Sequence, residues 1–380
     1  NEKGTLMQFS NPLYITGLLF TVVAGLLNTT EALAQAARPE DQATAAINKF
    51  LEQAGQWGFS AAVWTDGEVE WSHQWNYRDK EQELPVTSET MFRIGSVSKT
   101  ITAMTLAAMA EQGQLSLDAN IESYLPDLPQ RLSEITCRQL AGHLAGIRHY
   151  DPQRMQQEFL SREQYDDQKS ALSIFMDDPV LHAPGEEYLY STYGYTLLGA
   201  VMEGAAEKPL IRSMRDLVFV PAGMTHSYGE HNEPFEGEIA VPYAVMNGRE
   251  LIVPPINNSG KLAGGGLIST PEDLARFLGA VANHQIVSRD TLAEILKSQK
   301  TSDDTATGVG LGWRIATDPQ DRRYIHHGGS AAGGRTFVLL YPDHDAAIAL
   351  CMNLSSDQVT FGEELALEAL QPFLDSGQEK

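Results

Sequence analysis

Met91-Phe92-Arg93-Ile94-Gly95-Ser96-Val97-Ser98-Lys99-Thr100 opens a run of small and apolar residues that continues to Ala110. A helix places residues three apart on one face, so Ser96 at the helix mouth has the Lys99 amine one turn away, within reach of its hydroxyl. A serine hydroxyl is a weak nucleophile near neutral pH, and attack on a carbonyl needs a neighbour that takes its proton. Lysine can do so when burial or nearby cations lower its pKa. The unpaired N–H groups and positive dipole end of the helix start favour an oxyanion. Ser-x-x-Lys also recurs on exposed helices where both residues are simply solvated, so its meaning depends on what accompanies it.

Two further segments accompany it. Pro184-Gly185-Glu186-Glu187-Tyr188-Leu189-Tyr190-Ser191-Thr192-Tyr193-Gly194-Tyr195 is a loop that runs into an amphipathic helix carrying Leu197, Leu198, Val201 and Met202. Tyr324-Ile325-His326-His327-Gly328-Gly329 is a β-prone run ending in glycines, followed by the strand-like Thr336-Phe337-Val338-Leu339-Leu340-Tyr341. The order Ser-x-x-Lys, Tyr-Ser-x, His-x-Gly resembles the motif series of the penicillin-recognising serine hydrolases. Residues 141–150, 190–198 and 263–270 are similar to the serine β-lactamase-like proteases of mitochondrial type, with class C β-lactamases, D,D-carboxypeptidases and family VIII esterases as more distant relatives. The resemblance runs from about Gly58 to the last helix near Leu374.

The resemblance implies that Ser96 is the acylated nucleophile, Lys99 its proton partner, Tyr190 a second acid/base group, and His326 the stand-in for the lysine of a Lys-Thr-Gly motif. Two proton routes stay open. Tyr190 acts as a phenolate held by Lys99 and a charged His326, or Lys99 is the base and Tyr190 relays the proton to the leaving group. The backbone N–H groups of Ser96 and Gly329 would form the oxyanion hole. Thr192, His327 and Gly328 fall on the substrate side. Thr192 stands where class C relatives carry Asn, which removes a side-chain amide that contacts substrate and lowers the expectation of efficient β-lactam turnover. His326 in place of Lys makes a charge beside a substrate carboxylate depend on pH near neutrality. Strand neighbours point to opposite faces, and counting back from Gly328 assigns His326 rather than His327 to the cleft.

Taken in isolation, a tyrosine in the aromatic-rich stretch around Tyr190 would read as a packed residue, and it is the motif order that marks it out. Other residues read as structural. His143 and His149 lack the clustering of a zinc site, and there is no His-Glu-x-x-His run, paired Cys-x-x-Cys or nucleotide-binding glycine loop, so neither metal nor cofactor is expected. The glycine run Gly264-Gly265-Gly266 precedes Thr270-Pro271-Glu272-Asp273, an N-cap with proline and acids in the first turn, and serves as a structural device. Cys137, behind the capping pattern Thr136-x-x-Gln139, and Cys351, in an apolar strand, read as buried free thiols.

At the N-terminus, the apolar stretch from Leu13 to Leu27 followed by Ala32-Leu33-Ala34 reads as a secretory signal over residues 1–34, cleaved near Ala34. It is short for a membrane span, and no arginine precedes Arg38, so periplasmic or secreted placement is expected, with an uncleaved membrane anchor as the alternative. The net charge of −23 disfavours nucleic acid and anionic membrane as partners. The expected partner is a small peptide, amide or ester substrate, with self-association as a possibility.

The fold expected is α+β and β-lactamase/transpeptidase-like: an antiparallel sheet built from both termini, flanked by helices, with a mostly helical subdomain inserted. Residues 38–116 and 259–376 would form the sheet domain and 117–258 the insertion, the cleft lying between them. A hairpin turning at Asp66-Gly67 and a strand pair around Asp343 support the sheet. The function expected is an exported acyl-enzyme serine hydrolase, most readily a peptidase or amidase. The alternatives are a carboxylesterase or weak β-lactamase, a sensor that is acylated without turnover, and a filament-forming scaffold.

Overall fold

The computed structural model describes residues 38–377. The expected signal segment, residues 1–34, lies outside the described residues. Helix α1 (Pro39–Ala54) starts with proline in its first turn beside Glu40 and Asp41, and buries Ala43, Ile47 and Leu51 along one stripe. Strands β1 (Phe59–Thr65) and β2 (Glu68–Trp75) follow as an antiparallel hairpin. Its turn residues Asp66 and Gly67 both adopt positive φ, which suits the right-handed twist of the flanking strands.

Helix α2 (Ser98–Glu111) is buried on nearly all sides, as its mix of Ala, Thr, Met and Leu allows. Helix α3 (Thr192–Ala206) is capped by Ser191, whose hydroxyl accepts from the Gly194 N–H at 2.8 Å, a contact worth about 1 kcal/mol. Strands β3 (Tyr243–Met246) and β4 (Arg249–Ile252) form a second hairpin. Helix α4 (Pro271–Ala282) begins at the Thr270 cap anticipated from the sequence. The chain then returns to the sheet through β5 (Arg314–Thr317), β6 (Arg323–Ala331), β7 (Gly334–Tyr341) and β8 (Ala346–Met352), adds the short β9 (Leu354–Ser356), and closes with helix α5 (Glu363–Gly377).

The main sheet has the order β5-β6-β7-β8-β1-β2 and is antiparallel throughout, so both ends of the described chain meet at the β8–β1 pair. Alternate residues feed two cores. Phe337, Leu339 and Tyr341 face α1 and α5 together with Ile348, Leu350 and Met352. Val338, Leu340, Ala347, Ala349 and Cys351 face the other way, into the larger core that holds α2, α3 and α4. Cys137 and Cys351 are both buried free thiols, pushed up to about 12 by burial.

Within the segment expected to be mostly helical, residues 228–252 contribute short strands. The β3–β4 hairpin joins β9 in a parallel pairing, and short strands near residues 228 and 238 pair with Leu267–Ser269 and Thr90–Arg93. Among the described residues no helix is long and apolar enough to cross a membrane.

Candidate active site

Ser96 lies in the single turn Gly95–Val97 that leads into α2, and the first residues of the helix carry Lys99 directly beneath it. Lys99 is fully buried. Its Nζ lies 3.2 Å from Ser96 Oγ, 3.2 Å from Thr192 Oγ1 and 2.6 Å from the Gly264 carbonyl oxygen. Burial alone brings its pKa down from 10.5 to about 7. A neutral amine has two N–H donors and one lone pair. Gly264 O and Thr192 Oγ1 can accept the two, which leaves the lone pair aimed at the Ser96 hydroxyl.

Tyr190 completes the cluster. Its hydroxyl hydrogen-bonds Ser96, and burial pushes it up to about 12, so it is a protonated phenol at neutral pH. Lys99 Nζ stands 4.9 Å from the centre of the Tyr190 ring. Two histidines hold the segment that carries it. His143 Nδ1 accepts from the Ser191 N–H and His149 Nδ1 accepts from the Thr192 N–H, each at 3.2 Å. Both rings pack on Tyr190, at 4.5 and 5.4 Å between centroids. Burial keeps them neutral, His149 at about 4 and His143 well below its usual value. The sequence suggested only that these histidines are structural. Their task of clamping consecutive backbone amides carries no local signal in the chain.

The adjacent histidines of β6 are placed in reverse of the assignment made from the sequence. Along β6, Ile325 belongs to the core on the α2 side and Tyr324 to the core on the α5 side, so alternation turns His327 toward α2 and His326 toward α5. His327 faces Tyr190 at 6.3 Å between rings and feels the charge of Lys99. His326 packs between Tyr324 and Phe337, its Nδ1 buried without a partner. The frame is set by Gly329. A Cβ there would lie 2.0 Å from the Ile94 carbonyl oxygen, so this is the glycine pressed against the loop that carries Ser96, and the histidine two residues before it is the one that faces Tyr190.

His327 Nδ1 lies 2.8 Å from the Gly328 carbonyl oxygen, which can only accept, so Nδ1 carries the proton. Burial and the neighbouring Lys99 hold its pKa down to about 3. The pH-dependent cation expected at this position is therefore a neutral imidazole. The cations bordering the cleft are Lys261, which donates to the Phe159 carbonyl at 2.7 Å and is lowered to about 8 by burial, and Arg335.

A similar correction applies to the expected oxyanion donor. Strand β5 pairs with β6 only as far as His326, which leaves the edge from His327 to Ala331 open beside Ser96. The two-residue turn Ala332-Gly333 closes Ala331 against Gly334. Such a closing pair is hydrogen-bonded and the bonded positions then alternate, so Gly329 gives its N–H to β7, while Gly328 and Ser330 turn theirs to the open edge. A Cβ on Gly95, whose φ is +50°, would sit 2.8 Å from the Ser330 nitrogen. The strand N–H beside Ser96 is thus that of Ser330.

A buried ion pair braces this arrangement. Arg93, three residues before Ser96, binds Glu230 at 2.7 Å and donates to the Ala332 carbonyl at 2.9 Å, tying the strand that leads to Ser96 to the hairpin tip. Asn258 donates to the same Glu230 at 2.7 Å. The resulting cleft has a volume of about 680 Å³ and is bordered by Ser96, Tyr190, Thr192, Gly328, Gly329 and Ser330 among others.

A buried amine paired with a serine at a helix mouth, beside a tyrosine and the open edge of an antiparallel sheet, defines a serine hydrolase of the β-lactamase/transpeptidase fold. The Beta-lactamase family model matches residues 43–371, and the chain belongs to that family. Among curated proteins it is 26% identical to the serine beta-lactamase-like protein LACTB, mitochondrial, of Bos taurus, over 83% of this chain and 74% of the relative. Among solved structures, the octameric penicillin-binding protein homologue from Pyrococcus abyssi is similar with a TM-score of 0.75 at 24% identity, covering 88% of this chain and 77% of that one. D-amino acid amidase from Ochrobactrum anthropi SV3 is similar with a TM-score of 0.74 at 23% identity, covering 88% and 99%.

Proposed function

We propose that this protein is an amidase or peptidase that works through an acyl-enzyme on Ser96. The observation that carries the reading is the Lys99 amine, 3.2 Å from Ser96 Oγ and brought to about pKa 7 by burial. In acylation, the Ser96 Oγ–H proton passes to Lys99 Nζ as the Oγ–C bond forms. The developing oxyanion is held by the Ser96 and Ser330 N–H groups. The tetrahedral intermediate then expels the amine as its C–N bond breaks. The leaving nitrogen takes its proton from Tyr190, which recovers one from Lys99. With Tyr190 pushed up to about 12, a phenolate base is disfavoured and the relay role suits the phenol. Deacylation repeats the sequence with water as the nucleophile, Lys99 again accepting the proton.

Amide chemistry is favoured because a protonated phenol backed by an ammonium supplies the proton an amine leaving group requires. The amidase among the structural neighbours supports the same choice. The test is intact-mass spectrometry after incubation with a fluorophosphonate, followed by turnover of amino-acid p-nitroanilides. Wild type should gain one adduct and release product continuously, and Ser96→Ala should do neither. A single burst of product without turnover would replace the enzyme by an acylated sensor.

Export through residues 1–34 and self-association belong to the same proposal. The apolar stretch ahead of Gln35 supports the first, and the octameric relative supports the second. Fractionation of expressing cells and size-exclusion chromatography with light scattering test them.

A further inference from the structure

Arg148 touches none of the reacting groups, yet it meets the segment that carries Tyr190 through both its backbone and its side chain. Its carbonyl oxygen accepts a hydrogen bond from the Ser191 hydroxyl at 2.7 Å. The Ser191 oxygen in turn accepts the Gly194 N–H, so the cap of α3 hangs from Arg148. The side chain folds back on the next residue, and Nη1 donates to the His149 carbonyl oxygen at 2.9 Å. His149 is the residue whose Nδ1 takes the Thr192 N–H. One arginine thus fixes the partners of Ser191 and Thr192, the two positions directly after the phenol.

The guanidinium is itself fully committed. Nε donates to Asp178 Oδ2 at 2.6 Å, and Nη1 and Nη2 grip the two Glu158 oxygens at 3.0 and 2.9 Å. The remaining N–H reaches the Ile174 carbonyl oxygen at 3.5 Å, so all five donors have acceptors. The side chains of Arg148 and Glu158 are only 14% and 5% exposed, and a lysine ammonium cannot reproduce this planar fork. The cation also stands 4.8 Å over the ring of Tyr193, in the first turn of α3. Glu158 accepts the Asp151 N–H at 2.9 Å as well, which closes the segment whose Met155 and Phe159 border the cleft.

We infer that Arg148 is a positioning residue for Tyr190: it sets where the phenol stands relative to Ser96 and the leaving group, and Glu158 and Asp178 hold Arg148 in turn. The inference rests on the acyl-enzyme reading above, and it adds the group on which proton delivery to a leaving amine depends. Ser96 and Lys99 belong to the start of α2, with Lys99 bound to the Gly264 carbonyl. Loss of Arg148 should therefore be felt at the leaving group rather than at the nucleophile.

The experiment uses the full chain and two substrates with the same acyl group, a p-nitroanilide and a p-nitrophenyl ester. The anilide nitrogen must be protonated to leave, whereas p-nitrophenolate departs without a proton. Arg148→Lys is expected to lower kcat/KM for the anilide by about tenfold or more, and to leave that for the ester and the rate of fluorophosphonate labelling within about threefold. Tyr190→Phe should shift the anilide-to-ester ratio in the same direction. Adding Arg148→Lys to Tyr190→Phe should then change the ratio by less than about twofold, because both act through one hydroxyl. Asp178→Asn frees one guanidinium donor, should shift the ratio the same way by a smaller factor, and carries the test if Arg148→Lys does not fold. Equal losses on both substrates, an unchanged ratio, or full additivity in the double variant overturns the positioning role while leaving the acyl-enzyme intact. Absence of a fluorophosphonate adduct in wild type overturns the acyl-enzyme, and this inference with it.

Discussion

His326 and His327 project from opposite faces of one strand, the first against Tyr324 and Phe337 under α5, the second toward Tyr190 and Lys99. Substitutions at the two positions should therefore separate cleanly. His327→Ala removes the imidazole beside the phenol and is expected to lower kcat by about tenfold or more, the cost of one well-placed contact. His326→Leu removes a buried nitrogen that has no partner and should leave kcat within about threefold while holding or raising Tm. A larger kcat loss for His326→Leu than for His327→Ala would reverse the assignment.

The second prediction concerns the pH profile. Lys99 must be neutral to receive the serine proton, and its pKa is about 7. For an uncharged amide, kcat/KM should rise about tenfold per unit below pH 7 and level off above it. Lys99→Arg keeps a charge that cannot be shed and should depress turnover by roughly a hundredfold or more at every pH. An acid limb that does not bend near neutrality would remove Lys99 from the role of base.

The same lysine leaves a signature in stability. Its folded pKa, about 7, lies below the unfolded value near 10.5. Between these values the unfolded chain holds a proton that the folded chain has released, so wild-type stability rises with pH over this window and is least favoured below it. Lys99→Met lacks this dependence. The Tm of the variant minus that of wild type should be greatest at or below pH 7 and shrink toward pH 10. Scanning calorimetry at pH 6.5 and 9.5 reads it directly, and a constant difference would mean that the amine stays charged in the fold.

Gly329 offers a steric test. A methyl group there would meet the Ile94 carbonyl oxygen at 2.0 Å and push the strand edge away from the nucleophile loop. Gly329→Ala should cost about a hundredfold in kcat, as expected for a displacement near 1 Å at the reacting groups. At Gly328 the nearest atom to such a methyl is Phe337 Cδ2 at 3.5 Å, so Gly328→Ala should cost much less. Equal losses at the two glycines would count against the pinned contact.

The parts of this site readable from the chain are those whose geometry is local. Ser96 and Lys99 are three residues apart on a helix, and that spacing alone brings them together. Tyr190 was accessible through the order of motifs, and the β1–β2 hairpin through Asp66-Gly67. The frame of β6 was not readable. Two adjacent histidines before two adjacent glycines fit either alternation, and the choice is made by Ile94, far away in sequence. The donor Ser330 follows from where a two-residue turn closes, which depends on pairing rather than composition. The β3–β4 hairpin and β9 are too short to show a period and are held by partners from distant parts of the chain. The clamps made by His143 and His149 depend on backbone amides that any sequence would present.

The Arg93 guanidinium reaches from the strand leading to Ser96 across to the tip of the β6–β7 hairpin, with Glu230 neutralising it. The Gly95 backbone in turn presses against Ser330, so the brace sets how far the open strand edge stands from Ser96. A lengthened tip, or loss of the cation, would let that edge drift from the serine hydroxyl.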